Sequence, residues 1–159
     1  MVLPGGGRGM KIFDGVADLE KAVGTHLGHS DWHTVSQSQI DAFAHATGDH
    51  QWIHVDTARA ADGPFGSTVA HGFLTLSLVP MLTWQVYTVE GLKMGVNYGA
   101  DKLRFPSPVP VGARVRASVE LTSVTPKALG YQVATRVTIE LDGGDKPACV
   151  VDMLAVVVP

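Results

Sequence analysis

The sequence has 159 residues, 45% hydrophobic and 17% charged, which gives one domain enough apolar material for a core and excludes a globally disordered chain. With 12 basic and 15 acidic residues the formal charge is -3, so no strong field of either sign attracts nucleic acid or an anionic membrane. Cys149 stands alone, which excludes an internal disulfide framework and a cysteine-rich zinc site, and suits a reducing compartment.

Residues 1–10, MVLPGGGRGM, lack the apolar stretch of a secretory signal. They read as a loose N-terminal extension, with residues 11–159 as the folded domain. Asp18 to Val23 predicts a short helix ended by Gly24, and Trp32 to Val35 a short strand. Ser36 to Thr47 predicts a helix. Ser36 and Gln39 have the spacing of a capping box, and Ile40, Phe43, Ala44 and Thr47 share one face. Gly48 stands where a left-handed residue would end it. Asp49 to His54 is expected to be loop. Asp56 is expected to cap a short helix over Thr57 to Ala61, stopped by Gly63-Pro64-Phe65-Gly66.

Val69 to Trp84 is apolar on nearly every side, which predicts a helix enclosed by other structure and kinked or ended at Pro80. Its apolar run from Phe73 to Trp84 is too short to span a bilayer, and a cytoplasmic protein is expected. After Leu92 period-two alternation dominates. Lys93 to Phe105 reads as a strand broken near Gly99 and ended by Pro106, Pro108 and Pro110. Val115 to Leu121 and Val133 to Leu141 alternate apolar with polar residues, and Ala148 to Val158 is a more apolar strand. Asp142-Gly143-Gly144-Asp145 is a hairpin turn signal. Helices followed by an antiparallel meander make an α+β domain, with the apolar helix as the natural cover of the sheet.

The densest polar cluster is Gly48-Asp49-His50-Gln51-Trp52-Ile53-His54. A carboxylate and an imidazole converging on a tight loop can hold a water and move a proton. The same residues also fit a helix end followed by a surface loop, with Asp49 satisfying backbone donors. The 7 histidines, His50 and His54 at i, i+4 among them, raise a metal site, but no HExxH pattern occurs and Gly48 argues that the helix has stopped. Gly72, in Ala70-His71-Gly72, either lets a ligand approach free N–H groups at a helix start or allows tight packing. Asn97 and Tyr98 either face a cleft or belong to an ordinary bulged strand. Lys102 and Arg104 either meet a phosphate or lie on a solvated strand face. GxSxG, GxGxxG and P-loop patterns are missing from the sequence.

Three blocks together carry a resemblance: Phe43-Ala44-His45-Ala46-Thr47-Gly48-Asp49 with His54, then Ala70-His71-Gly72-Phe73-Leu74, then Arg104-Phe105-Pro106-Ser107-Pro108-Val109 running to Gly112. They resemble the MaoC-like (R)-specific enoyl-CoA hydratases, over about residues 30 to 125. The resemblance implies a single hotdog fold, in which an antiparallel sheet wraps a long central helix. It implies Asp49 and His54 as the catalytic pair and Gly72 as the oxyanion donor. Asn97, Tyr98 and Arg104 are the residues expected to bind substrate. Gln51 and Trp52 replace the Asn-Pro pair usual in the family's motif. That variant, with Met94-Gly95-Val96-Asn97-Tyr98-Gly99, looks like the branch similar to nodulation protein N. Pro80 stands where some hydratases place a serine.

The implied activity belongs to fatty acid metabolism: reversible hydration of trans-2-enoyl-CoA to (R)-3-hydroxyacyl-CoA. It needs no metal and no redox cofactor, since coenzyme A arrives as part of the substrate. A homodimer with sites near the interface is implied, with no nucleic acid or membrane partner. The rivals are a hotdog acyl-CoA thioesterase, told apart by thiol release, and a non-catalytic acyl-CoA-binding subunit, told apart by binding without turnover.

Overall fold

The computed structural model describes residues 9–159, so all but the last two residues of the expected N-terminal extension lie outside the described residues. The predicted meander is present as β6 (Arg114–Lys127), β7 (Gly130–Leu141) and β8 (Cys149–Val158). β5 (Met94–Arg104) adds antiparallel to β8 at one edge. β2 (His26–His29) and β3 (His33–Thr34) both pair with β6, giving the order β2-β6-β7-β8-β5 with β3 beside β6.

Alternation sets the register. Val115, Ala117, Val119 and Leu121 of β6 are fully buried, as are Val137 and Ile139 of β7. A slip by one residue would turn each of them to solvent. On the other face Arg116 lies opposite Glu140 and Arg136 opposite Asp152. Their Nε–H groups donate to these carboxylates at 2.6 and 2.9 Å. Exposed pairs of this kind contribute about 0–1 kcal/mol, whereas burying a Val or Leu side chain contributes roughly 1.5–3 kcal/mol. The buried face therefore dominates the stability.

The filling of the sheet departs from the continuous helix expected over Val69 to Trp84. It is divided into α5 (Gly72–Ser77) and α6 (Val79–Thr83), with Leu78 between them. Pro80 has no N–H and its ring crowds the carbonyl one turn back, so the break falls just ahead of it. Residues 68–70 are extended, with Val69 bridged to Pro110. Leu74, Leu78, Val79 and Leu82 are buried toward the sheet. The expectation of a helix enclosed all round fails within one chain, because Phe73 is 64% and Trp84 53% exposed.

The first half is also richer in strand than its pattern predicts. β1 (Lys11–Phe13) runs parallel to β4 (Tyr87–Val89) as a separate pair. α1 (Gly15–Glu20) begins and ends three residues before its predicted span, and Gly24 follows it at φ 85°. β3 falls within the strand predicted over Trp32 to Val35. Strands as short as β1, β2 and β4 carry too few alternating residues to be read locally; their partners lie far along the chain.

Candidate active site

α2 (Gln37–Thr47) positions the first candidate side chain. Ser36 accepts the Gln39 N–H at 3.2 Å, as expected of an N-cap. The returning half of the predicted capping box is absent, because the Gln39 side chain bonds His33 instead. Ile40 and Ala44 bury the inner face. Gly48 ends the helix at φ 81°, donating its N–H to the Ala44 carbonyl at 2.8 Å. This left-handed geometry favours glycine and throws Asp49 off the helix axis.

Asp49 is exposed, and its carboxylate accepts the Gln51 N–H at 3.3 Å. His54 departs from the expected loop: it lies in a single helical turn, α3 (Trp52–Val55), and is buried. α4 (Thr57–Ala61) follows as predicted, with Asp56 accepting the Arg59 N–H. The His54 Nδ1–H donates to the Val69 carbonyl at 2.6 Å. A carbonyl only accepts, so Nδ1 carries a proton, and in the neutral ring the lone pair is then on Nε2. Gln37 holds the His54 carbonyl through its Nε2–H at 2.8 Å.

The second sequence block is laced to the first and third. The Val69 N–H donates to the Ile53 carbonyl, the Ala70 N–H to that of Val109, and the Val111 N–H to that of Thr68. These bonds carry His71 and Gly72 to the pair. A carboxylate oxygen of Asp49 and one imidazole nitrogen each from His54 and His71 lie within 4.8 Å of one another. One water can span such a gap between carboxylate and imidazole with two ordinary hydrogen bonds of about 2.8 Å.

Gly72 is the first residue of α5, so its N–H has no acceptor within the helix. α5 has only 6 residues, so the donor itself matters here more than a helix dipole. A Cβ at Gly72 would fall 2.8 Å from the Phe105 ring. Tight packing and a free donor therefore coexist at this position.

Asn97, Tyr98 and Arg104 all stand on exposed β5, outside the Asp49–His54–His71 cluster. The predicted interruption is a bulge between Asn97 and Gly99. Asn97 lines an apolar cavity of about 400 Å³ with Pro80, Trp84, Tyr87 and Val133. Asn97 and Tyr98 line a second, shallower one with Leu76, Ser77 and Pro80. The Arg104 guanidinium turns back to the Leu103 carbonyl. Cys149 is buried, and burial pushes its thiol up to about 11, so it is protonated at neutral pH and is no nucleophile.

Gln37, His71 and Phe105 belong to this neighbourhood, yet none was singled out as a site residue from the sequence. Their roles depend on partners 17, 22 and 33 positions away. Only the adjacency of His71 to Gly72 was a local signal.

Asp49, His54 and His71 are also close enough together to be weighed as donors to a divalent cation. Their geometry fits an ion poorly. The two imidazole rings stack with centroids 3.8 Å apart and planes tilted by 23°. Planes so nearly parallel meet far beyond the metal–nitrogen reach of about 2 Å, so one ion cannot lie in the plane of both rings.

Over residues 18–142 the chain matches the family model described as a MaoC like domain. It is 53% identical over 146 residues to 3-hydroxyacyl-thioester dehydratase Z of Mycobacterium tuberculosis, covering 91% of this chain and 97% of that protein. It is 42% identical to nodulation protein N of Rhizobium leguminosarum bv. viciae, covering 89% and 90%. Among solved structures, the unliganded R-hydratase PhaJ1 from Pseudomonas aeruginosa superposes with a TM-score of 0.72 at 25% identity, covering 89% of this chain and 84% of that one.

Proposed function

Because the chain belongs to the MaoC-like dehydratase family, we propose that it reversibly hydrates trans-2-enoyl-CoA thioesters to (R)-3-hydroxyacyl-CoA. The observation that carries this reading is the approach of the Asp49 carboxylate and an imidazole nitrogen of His54 to within 4.8 Å. A water between them gives one proton to the His54 Nε2 lone pair while Asp49 holds the other. Its oxygen bonds to C3 of the enoyl group, and the C2–C3 π electrons move through C2 toward the thioester oxygen. The resulting enolate oxygen takes the Gly72 N–H. The proton held by the pair then returns to C2, so one water has been added and nothing is oxidised. The (R) configuration follows the family resemblance.

A direct test follows enoyl absorbance with crotonyl-CoA and resolves the product by chiral analysis. Loss of absorbance with an (R)-3-hydroxy product supports the reading. Release of free thiol would mark a thioesterase, and binding of a saturated acyl-CoA with no turnover a non-catalytic subunit. The chemistry uses no metal, in keeping with the stacked imidazoles. Rates in excess EDTA should match those without it. Loss with EDTA that Zn²⁺ restores would overturn this part.

A second copy of this chain is the proposed partner. β5 ends the sheet with one edge unpaired by any described strand, and it exposes Met94, Val96 and Tyr98. Phe73 and Trp84 of the central helical segment are exposed as well. Asp49 lies open, and neither cavity includes Asp49, His54 or Gly72. A partner on β5 would bury apolar surface of the kind that marks interfaces. Light scattering should give twice the chain mass, and Val96→Glu should shift the protein toward monomer. A monomeric wild-type protein at assay concentration would refute it.

A further inference from the structure

We propose that His71 is a positioning residue for the Asp49–His54 pair, acting on Asp49 through its main chain and on His54 through its ring face. The inference rests on the hydratase reading and adds a residue that the reaction as written does not use.

His71 is 2% exposed. Its Nε2–H donates to the main-chain carbonyl of Asp49 at 3.0 Å. One ring face stacks on His54 at 3.8 Å, and Phe43 packs against the ring with centroids 4.9 Å apart. The position of Asp49 depends on this contact more than on its own side chain, which holds only the neighbouring Gln51 N–H. His54 is held elsewhere, by Val69 through its ring and by Gln37 through its carbonyl. His71 thus touches both members of the pair and ties the loop of one to the ring of the other.

Packing alone gives no reason for a histidine here. With a proton on Nε2, Nδ1 is a buried acceptor, and it has no hydrogen-bond partner among the described residues. An apolar ring would fill the same space without burying an unpaired nitrogen. What the apolar ring lacks is the Nε2–H that fixes the Asp49 carbonyl. Because Gly72 follows directly, the same residue also sets the start of α5 relative to the pair.

The test compares His71→Phe, which keeps a ring and loses the donor, with His71→Gln, whose amide nitrogen can stand near Nε2. Both are made in the wild-type and Asp49→Asn proteins and assayed with crotonyl-CoA. His71→Phe should lower kcat by about 100-fold with KM within about twofold, the scale of misplacing a reacting group by an ångström. His71→Gln should recover about tenfold of that loss. In the Asp49→Asn protein, His71→Phe should cost less than about twofold more, because the group it positions is already disabled. A purely structural role would give losses that multiply in the two backgrounds and follow the folded fraction seen in thermal melts. Multiplicative losses, equal activity of the Gln and Phe variants, or a wild-type kcat in His71→Phe would each overturn the inference. Should His71→Phe fail to fold, the Gln variant in both backgrounds decides by the same cycle. A wild-type protein that hydrates no member of a chain-length series of trans-2-enoyl-CoA thioesters would defeat the hydratase reading instead.

Discussion

Asp49→Asn is expected to lower kcat for crotonyl-CoA hydration at least ~100-fold, the usual scale for removing an acid–base group, and to leave the fold intact. The structure separates these two effects. Asp49 is exposed and lies beyond the Gly48 helix end, so neutralising it orphans no buried charge. An asparagine oxygen can still accept the Gln51 N–H that the carboxylate accepts now. What is lost is the negative charge that the proposed mechanism uses to hold and polarise the water. His54→Ala should be as damaging to rate but will also cost stability. It leaves the Val69 carbonyl without its donor inside the protein, which typically costs about 1–3 kcal/mol. His54→Asn is the cleaner probe, since its amide nitrogen can stand where Nδ1 does. The double variant Asp49→Asn/His54→Asn should be little worse than the worse single variant, because both groups serve one water. Steady-state kinetics and thermal melts check all four. Near wild-type turnover in folded Asp49→Asn would remove the pair from the mechanism, and fully multiplicative losses would show two independent groups.

The second large effect is expected at Gly72. Proline there removes the N–H that the proposed mechanism offers to the thioester oxygen, and losing one such donor costs about 3 kcal/mol, roughly 100-fold in kcat. The backbone tolerates the ring. Gly72 is the first residue of α5, and His71 before it is extended at φ -59° and ψ 140°, the conformation a following proline requires. Proline also adds a Cβ, however, and any Cβ at Gly72 meets the Phe105 ring at 2.8 Å. Gly72→Ala supplies the control: it keeps the N–H and carries the same contact, which Phe105, 39% exposed, can relieve by swinging outward. The ratio of Ala to Pro activities therefore isolates the donor. Gly72→Val keeps the donor and adds more bulk where the thioester approaches, so KM should rise along with the loss in rate. A folded Gly72→Pro enzyme as active as Gly72→Ala would show that another group serves the oxyanion.

Much of this was legible in the sequence because it rests on local rules. Ser36 and Gly48 bound α2 through a side-chain acceptor and a left-handed residue, which any helix end demands. Residues 115–121 and 133–141 alternate with period two, and a sheet with one buried face permits no other register. The spacing of Gly48-Asp49, His54 and His71-Gly72 carried the family resemblance, and the family model matched over residues 18–142 agrees with it. What tertiary structure alone decided were contacts between segments distant in sequence. The Val69 carbonyl accepts the His54 Nδ1–H and so leaves Nε2 as the nitrogen turned to the site. His71 reaches back to the Asp49 carbonyl, and Phe105 comes against Gly72 from the end of β5. β1, β2 and β4 form because partners elsewhere in the chain satisfy their backbone groups, and residues so few leave no period to read. The resemblance pointed to Asp49 and His54, which spacing alone left open as a surface loop, and the fold brings their side chains within 4.8 Å. Their protonation, orientation and support came from hydrogen bonds that close only when the sheet and the central helical segment are folded together.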